Sequence, residues 1–333
     1  MRYIRILLIV IVLLPVLFSC NSKLNVNANW KDITVVYGLL SQNEDTTFIK
    51  ITKAFLGEGN ALQFAQVPDS SNYPGKLTVK MEGWLGSTLM NTYTFDTITI
   101  HTKEKGDSVF YYPIQLVYYC KTGDLNESYT YKLRITHTKT GVIDSASTTL
   151  VHHFAYETPD PYLKKAEFLP GKGVSVVYYQ AYGGKRYQLV IRVHYLESTA
   201  ALKDVPKSFD WLVFNDYEVA DPTQTTNKIT NTFLGDQFYS VMIGNIKIDP
   251  NVTSRSVRWV DYILSVASDD LNTYMDVSAP SLSIIQERPS FSNIYNGIGL
   301  FSSRYVNELD TVTLSDQTFA AIRSNPDLIK RGF

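Results

Sequence analysis

In GKLTVKMEGWL (75–85), Leu77, Val79 and Met81 alternate with Lys76, Thr78 and Lys80. A period of two places the apolar side chains on one face of an extended chain and the polar ones on the other, an arrangement no helix provides. The same rhythm sets the first half of the chain. DITVVYGLL (32–40), TTFIKITKAFL (46–56), NTYTFDTITI (91–100) and SVFYYPIQLVYY (108–119) read as strands. Pro113 marks an edge or a bulge in the last of them. SYTYKLRITH (128–137) and GVIDSASTTLVHHF (141–154) form a hairpin across the three residues Thr138–Thr140. About seven short strands over ~120 residues is the pattern of a β-sandwich, placed at residues 31–155.

YETPDPYLK (156–164), with two prolines, breaks the rhythm and marks a boundary before a second β-rich domain, 156–333. There GVSVVYYQA (173–181) and RYQLVIRVHYLES (186–198) flank YGGK, which reads as a hairpin-type turn. KSFDWLVFNDYEV (207–219), DQFYSVMIGNIKI (236–248) and RSVRWVDYILSVAS (255–268) read as further strands, and DPTQTTNKITNT (221–232) as an exposed loop. DDLNTYMDVSAP (269–280) predicts a short helix capped by Asp269, with Leu271, Tyr274 and Met275 on one face. A C-terminal helix starts at the N-cap Ser315, carries Phe319, Ala320 and Ile322 on its apolar side, and ends at Asn325-Pro326. The expected fold is mostly β, a sandwich followed by a second β-rich domain with a short C-terminal helix.

The N-terminus carries an address. Arg2 and Arg5 precede the apolar run ILLIVIVLLPVLFS, and Cys20 follows it. Residues 1–19 read as a secretory signal peptide, too short for a comfortable membrane span of ~20 residues. Leu17-Phe18-Ser19-Cys20 resembles a bacterial lipobox, so Cys20 is the expected lipidation site and residues 20–30 a polar tether. The chain has two cysteines. With Cys20 lipidated, Cys120 has no partner, which excludes a disulfide framework and a cysteine zinc site and makes Cys120 a small buried apolar residue. Lys and Arg number 31 against 32 acidic residues. Loss of Arg2 and Arg5 with the leader leaves about 29 against 32, no basic stripe, and no expectation of nucleic-acid binding.

No constellation of catalytic residues stands out. His152 and His153 are adjacent, so on a strand they point to opposite faces and cannot share a metal. Asp269, Asp270 and Asp276 lack the glycine and alternation of a calcium loop. There is no G-x-S-x-G elbow. NGIGLF (296–301) lacks a βαβ context, so Asn296-Gly297 reads as a turn and Gly299 as a bulge or a close backbone approach. No catalytic residue, metal site or cofactor is expected, and the chain reads as a non-enzyme.

WKDITVVYGLLSQNEDTTFIKITKAFLGEGNA (30–61) and SNIYNGIGLFSSR (292–304), with the lipobox, resemble the Bacteroidetes-type outer-membrane lipoprotein family described as domain of unknown function 4249. The resemblance brackets nearly the whole mature chain. It implies an N-terminal sandwich of immunoglobulin-like character, a second β-rich domain, an outer-membrane lipid anchor and association with a TonB-dependent transporter. It supplies no catalytic residues. CNSKLNVNANWKD has no acidic residue before Asp32, which leaves the periplasmic and extracellular faces both open. The leading reading is a binding or accessory module that captures a peptide or glycan, with Trp211, Tyr217 and Trp259 as ligand-contacting aromatics. A structural or adhesive envelope protein and, behind it, a hydrolase are the alternatives.

Overall fold

A computed structural model describes residues 31–56, 72–73, 75, 77–101, 115–279 and 290–333. Cys20, the leader, the tether and Pro113 lie outside the described residues. The fold is mostly β, in several sheets, with short helices at the C-terminal end.

The first unit is a sandwich. One layer holds β1 (Lys31–Leu40), β2 (Thr46–Leu56), β5 (Asp96–Ile100) and β6 (Gln115–Lys121); the other holds β3 (Leu77–Leu85), β4 (Thr88–Thr94), β7 (Thr130–His137) and β8 (Ile143–Thr149). The alternation in residues 77–81 is real. Val79 and Met81 of β3 face Val36, Ile49 and Ile51 of the opposite layer, and Tyr131, Leu133 and Ile135 of β7 complete the core. The β7–β8 hairpin forms as expected. The run 91–100 is two strands rather than one. Its period continues, but Phe95 turns into the core, where its N–H donates to the Val79 carbonyl at 3.0 Å, and the chain crosses from one layer to the other. Cys120 is half-buried against this core, and burial pushes its thiol pKa up, away from a reactive state.

The second unit contains β9 (Tyr156–Thr158), β10 (Lys165–Ala166), β11 (Gly173–Tyr179), β12 (Arg186–Thr199), β13 (Val205–Glu218), β14 (Lys228–Leu234), α1 (Gly235–Asn245), β15 (Val252–Ala267), α2 (Asp269–Ser278), β16 (Gly297–Leu314), α3 (Asp316–Ser324) and α4 (Pro326–Ile329). Three expectations are corrected here. The YGGK segment is not a hairpin, because β11 pairs with β14 and β9 while β12 pairs with β13 and β15. It carries the chain between two facing sheets, and Gly184 permits this: a Cβ there would sit 2.6 Å from Val266 and 3.0 Å from the Tyr187 hydroxyl. Within the expected loop 221–232, Lys228 onward forms β14 against β11. The expected strand 236–248 is the helix α1. Its buried residues Phe238, Tyr239 and Met242 are one and four apart, a helical spacing that the aromatic and β-branched content of the segment masks.

The closing helices follow the sequence closely. The Ser315 hydroxyl accepts from the Thr318 N–H at 3.2 Å, and Asn325 caps the next turn with Pro326 at its start. Helix α2 also forms, but its N-cap is Ser268 and Asp269 opens its first turn instead of capping it; Asn272 is its buried residue and Met275 is exposed, so a polar contact rather than an apolar face seats it. Arg186 makes that contact, reaching Asn272 and Asp276 on α2 and Glu218 on β13, the last at 2.7 Å.

β16 joins the two units. Gly297–Ser303 pair in parallel with Thr34–Leu40 of β1, and Arg304–Val312 pair antiparallel with β15. One sheet therefore runs β13-β12-β15-β16-β1-β2-β6-β5 through the protein. Ile294 and Phe301 pack in the first core, whereas Leu309, Val312 and Leu314 pack in the second. The NGIG motif is structural, as its turn chemistry predicts. Asn296 has φ +58, and Gly299 lies against Val36 at a spacing only a glycine tolerates.

Candidate functional site: a polar cleft between the two units

Where β16 exchanges β1 for β15, two serine side chains tie it to neighbouring segments of the chain. Ser303 Oγ donates to the Thr149 carbonyl at 2.7 Å and accepts from the Val151 N–H at 3.1 Å. Ser302 Oγ meets Ser268 Oγ at 2.5 Å. Ser302 and Ser303 are fully buried, which only such complete pairing allows. Above this seam lies a cleft of about 400 Å³. The first unit contributes Thr130, Ser147 and Thr149; the second contributes Tyr182, Pro222, Thr223, Asp269 and Asp270.

Each wall is fixed locally. Gly183, at φ +75, donates its N–H to the Pro222 carbonyl at 2.8 Å and presents Tyr182, which is 41% exposed and lies 4.7 Å from the His152 ring. Asp221 shapes the Pro222–Thr223 rim. Its carboxylate accepts from the Thr223 hydroxyl and from Gln224, then from the Thr223 N–H, and these bonds lower its pKa to about 2. Asp270 accepts from Asn293 Nδ2 at 2.8 Å, and Asn293 also exchanges hydrogen bonds with the Phe301 backbone. The result is a cleft lined with hydroxyls, one exposed tyrosine ring and two carboxylates, with a third anion at its rim.

The aromatics singled out in the sequence do not meet there. Trp211 is a correction: at 6% exposure it is a core residue, its ring 5.3 Å from Phe233 and 6.2 Å from Phe168, and it offers no contact surface. Trp259 is half-buried and stacks on His194 at 5.0 Å, with His194 Nε2 2.6 Å from Asp261 Oδ2. Tyr217 sits at the far end of β13, six residues or about 20 Å along the strand from Trp211, against Tyr187. A second hollow of about 350 Å³, lined by Val257, Phe319, Ile322 and Phe333, is apolar. Its Arg255 is already engaged by Glu197 and by the Lys247 and Arg331 carbonyls.

The histidine pair lies outside any strand, and both rings turn toward one carboxylate. His153 Nδ1 is 2.9 Å and His152 Nδ1 3.9 Å from Glu127. No group of three or more His, Cys, Asp or Glu side chains is placed to hold a metal among the described residues. Burial alone raises the Glu127 pKa, but hydrogen bonds from the His153 ring and backbone outweigh it and leave the carboxyl below its usual range. A carboxylate with a depressed folded pKa stabilises above its unfolded value of about 4.3, and that contribution disappears as pH falls through the folded value. Urea unfolding at stepped pH is therefore expected to show a shallower loss of stability below about pH 4.3 in Glu127→Gln than in the parent. Identical slopes contradict the assignment.

No helix among the described residues is long and apolar enough to cross a membrane. Scanning the chain against models of protein families finds no match, and a search of curated proteins finds none.

Proposed function

We propose that this protein is an outer-membrane lipoprotein, anchored through Cys20, that captures a neutral glycan in the cleft between its two units for a TonB-dependent transporter. The supporting observation is the make-up of that cleft. Serine and threonine hydroxyls, an exposed tyrosine ring and paired carboxylates are the groups that hydrogen-bond and stack on sugar rings. Asp269, Asp270 and Asp221 work against an anionic ligand. Capture, rather than turnover, is the role we assign.

The test is calorimetry of the mature chain against a panel of neutral oligosaccharides, with Tyr182→Ala and Asp269→Asn as variants. A binder is expected in the panel, with at least ~10-fold weaker affinity in each variant, about 1.4 kcal/mol, at unchanged thermal stability. Binding that ignores both substitutions, or a panel without a binder alongside tight binding of peptides, overturns the reading. Turnover of the bound sugar would replace capture with hydrolysis.

A further inference from the structure

The solvent face of the β3–β7–β8 layer carries a charge arrangement that the fold does not use. In β3, Val79 and Met81 point into the core while Thr78, Lys80 and Glu82 point outward. Lys80 stands directly opposite Arg134 of β7. Like charges at directly opposed positions, with Cβ atoms about 5 Å apart, destabilise a sheet. Neither cation has an ion-pair partner among the described residues. Lys132 follows two residues from Arg134, about 7 Å away on the same face. Its Nζ lies 4.5 Å over the Trp84 ring and it stands directly opposite Glu82, which accepts from Trp84 Nε1 at 3.0 Å, so a single acid faces three cations.

Two adjoining depressions run along this face, of about 470 and 310 Å³, and both include Glu82 and Arg134. Hydroxyls of Thr78, Thr136 and Ser145 line them beside the cations. From Lys132 to Thr136 the groove follows β7 for about 13 Å, long enough for a short run of sugar rings. We propose that this face is a second binding site, for an acidic, uronate-bearing polysaccharide, distinct from the neutral-sugar cleft. Carboxylates repeated along a polymer answer Lys80 and Arg134, which have no ion-pair partner among the described residues, with Lys132 beside them, and the hydroxyl side chains answer the sugar hydroxyls. Nucleic acid fits less well, because the hydroxyls that line the depressions answer a polymer rich in free hydroxyls, and duplex DNA presents none along its length. The site stands or falls independently of the cleft.

The test uses the mature chain and polygalacturonate oligomers, with dextran, duplex DNA and phosphatidylglycerol vesicles as competing probes. Polygalacturonate is expected to bind, to weaken as salt rises, and to lose at least ~10-fold in affinity in Lys80→Ala/Arg134→Ala. The double variant should melt no lower than the parent, since it removes a repulsive pair. Tyr182→Ala should leave this binding unchanged while it weakens the cleft. Equal or tighter binding of DNA or vesicles, no binding of polygalacturonate, or retention in the double variant overturns the proposal.

Discussion

Gly299→Ala is expected to cost the protein roughly 3–5 kcal/mol, a large part of the 5–15 kcal/mol that holds a typical domain together. Two effects act at one position. The backbone at Gly299 has φ +118, a region closed to residues with a Cβ. A Cβ built there stands 2.0 Å from the Val36 carbonyl oxygen and 3.0 Å from its amide nitrogen, so the obstacle is backbone rather than a side-chain tip that can swing away. Relief requires β16 to lift off β1, and Phe301, two residues on, then leaves the first core. Urea unfolding of the variant reads this as a lower midpoint. Gly244→Ala is the control: nothing lies within 4 Å of its would-be Cβ, it sits in α1, and the exchange should be neutral or favourable by up to about 1 kcal/mol. A Gly299→Ala protein within about 0.5 kcal/mol of the parent removes the argument.

The second large effect is at Trp211. Its ring fills the space between β13, β14 and α1, among Phe168, Phe233 and Phe238, the first and last of which stack at 4.5 Å. Truncation to alanine removes a buried indole and leaves a hole that these rings cannot close together, for an expected loss of about 3–5 kcal/mol. Trp211→Phe retains most of the packing and is expected to cost less than half as much. The pair also separates a core residue from a ligand contact. A core residue lowers the unfolding midpoint in proportion to the volume removed, whereas a contact residue weakens ligand binding at constant midpoint.

Strand alternation made much of this architecture legible. The periodicity of β3, β7 and β12 predicted strands, and the cap at Ser315 predicted the start of α3. The misreadings share a cause: local pattern says that a segment is extended or turning, and partnership is decided elsewhere. Gly183-Gly184 looks like a hairpin turn, yet the crowding of Val266 and Tyr187 against Gly184 belongs to a crossing between sheets. Phe238, Tyr239 and Met242 satisfy helical spacing inside a segment rich in strand-forming residues. The cleft was the least legible part. Its walls come from β7, β8, the 182–183 and 222–223 turns and the start of α2, and no window of sequence holds them together. One signal was present in Ser302-Ser303, two adjacent hydroxyls directly behind the apolar Leu300-Phe301, which mark where the strand changes partners. Trp211 shows the reverse limit, since composition alone does not tell a buried indole from a displayed one.

The double allegiance of β16 also governs when the protein can become itself. Gly38 of β1 pairs beside Phe301, so a contact that completes the first core spans more than 260 residues. Pairings that distant close slowly, because the entropy of the intervening loop must be overcome before the contact stabilises anything. A chain that emerges N-terminus first therefore presents β1 with one edge open until nearly all of the second unit has followed it. The sandwich is first to be made and among the last parts to be finished, and throughout that interval its open edge is available to the wrong strand.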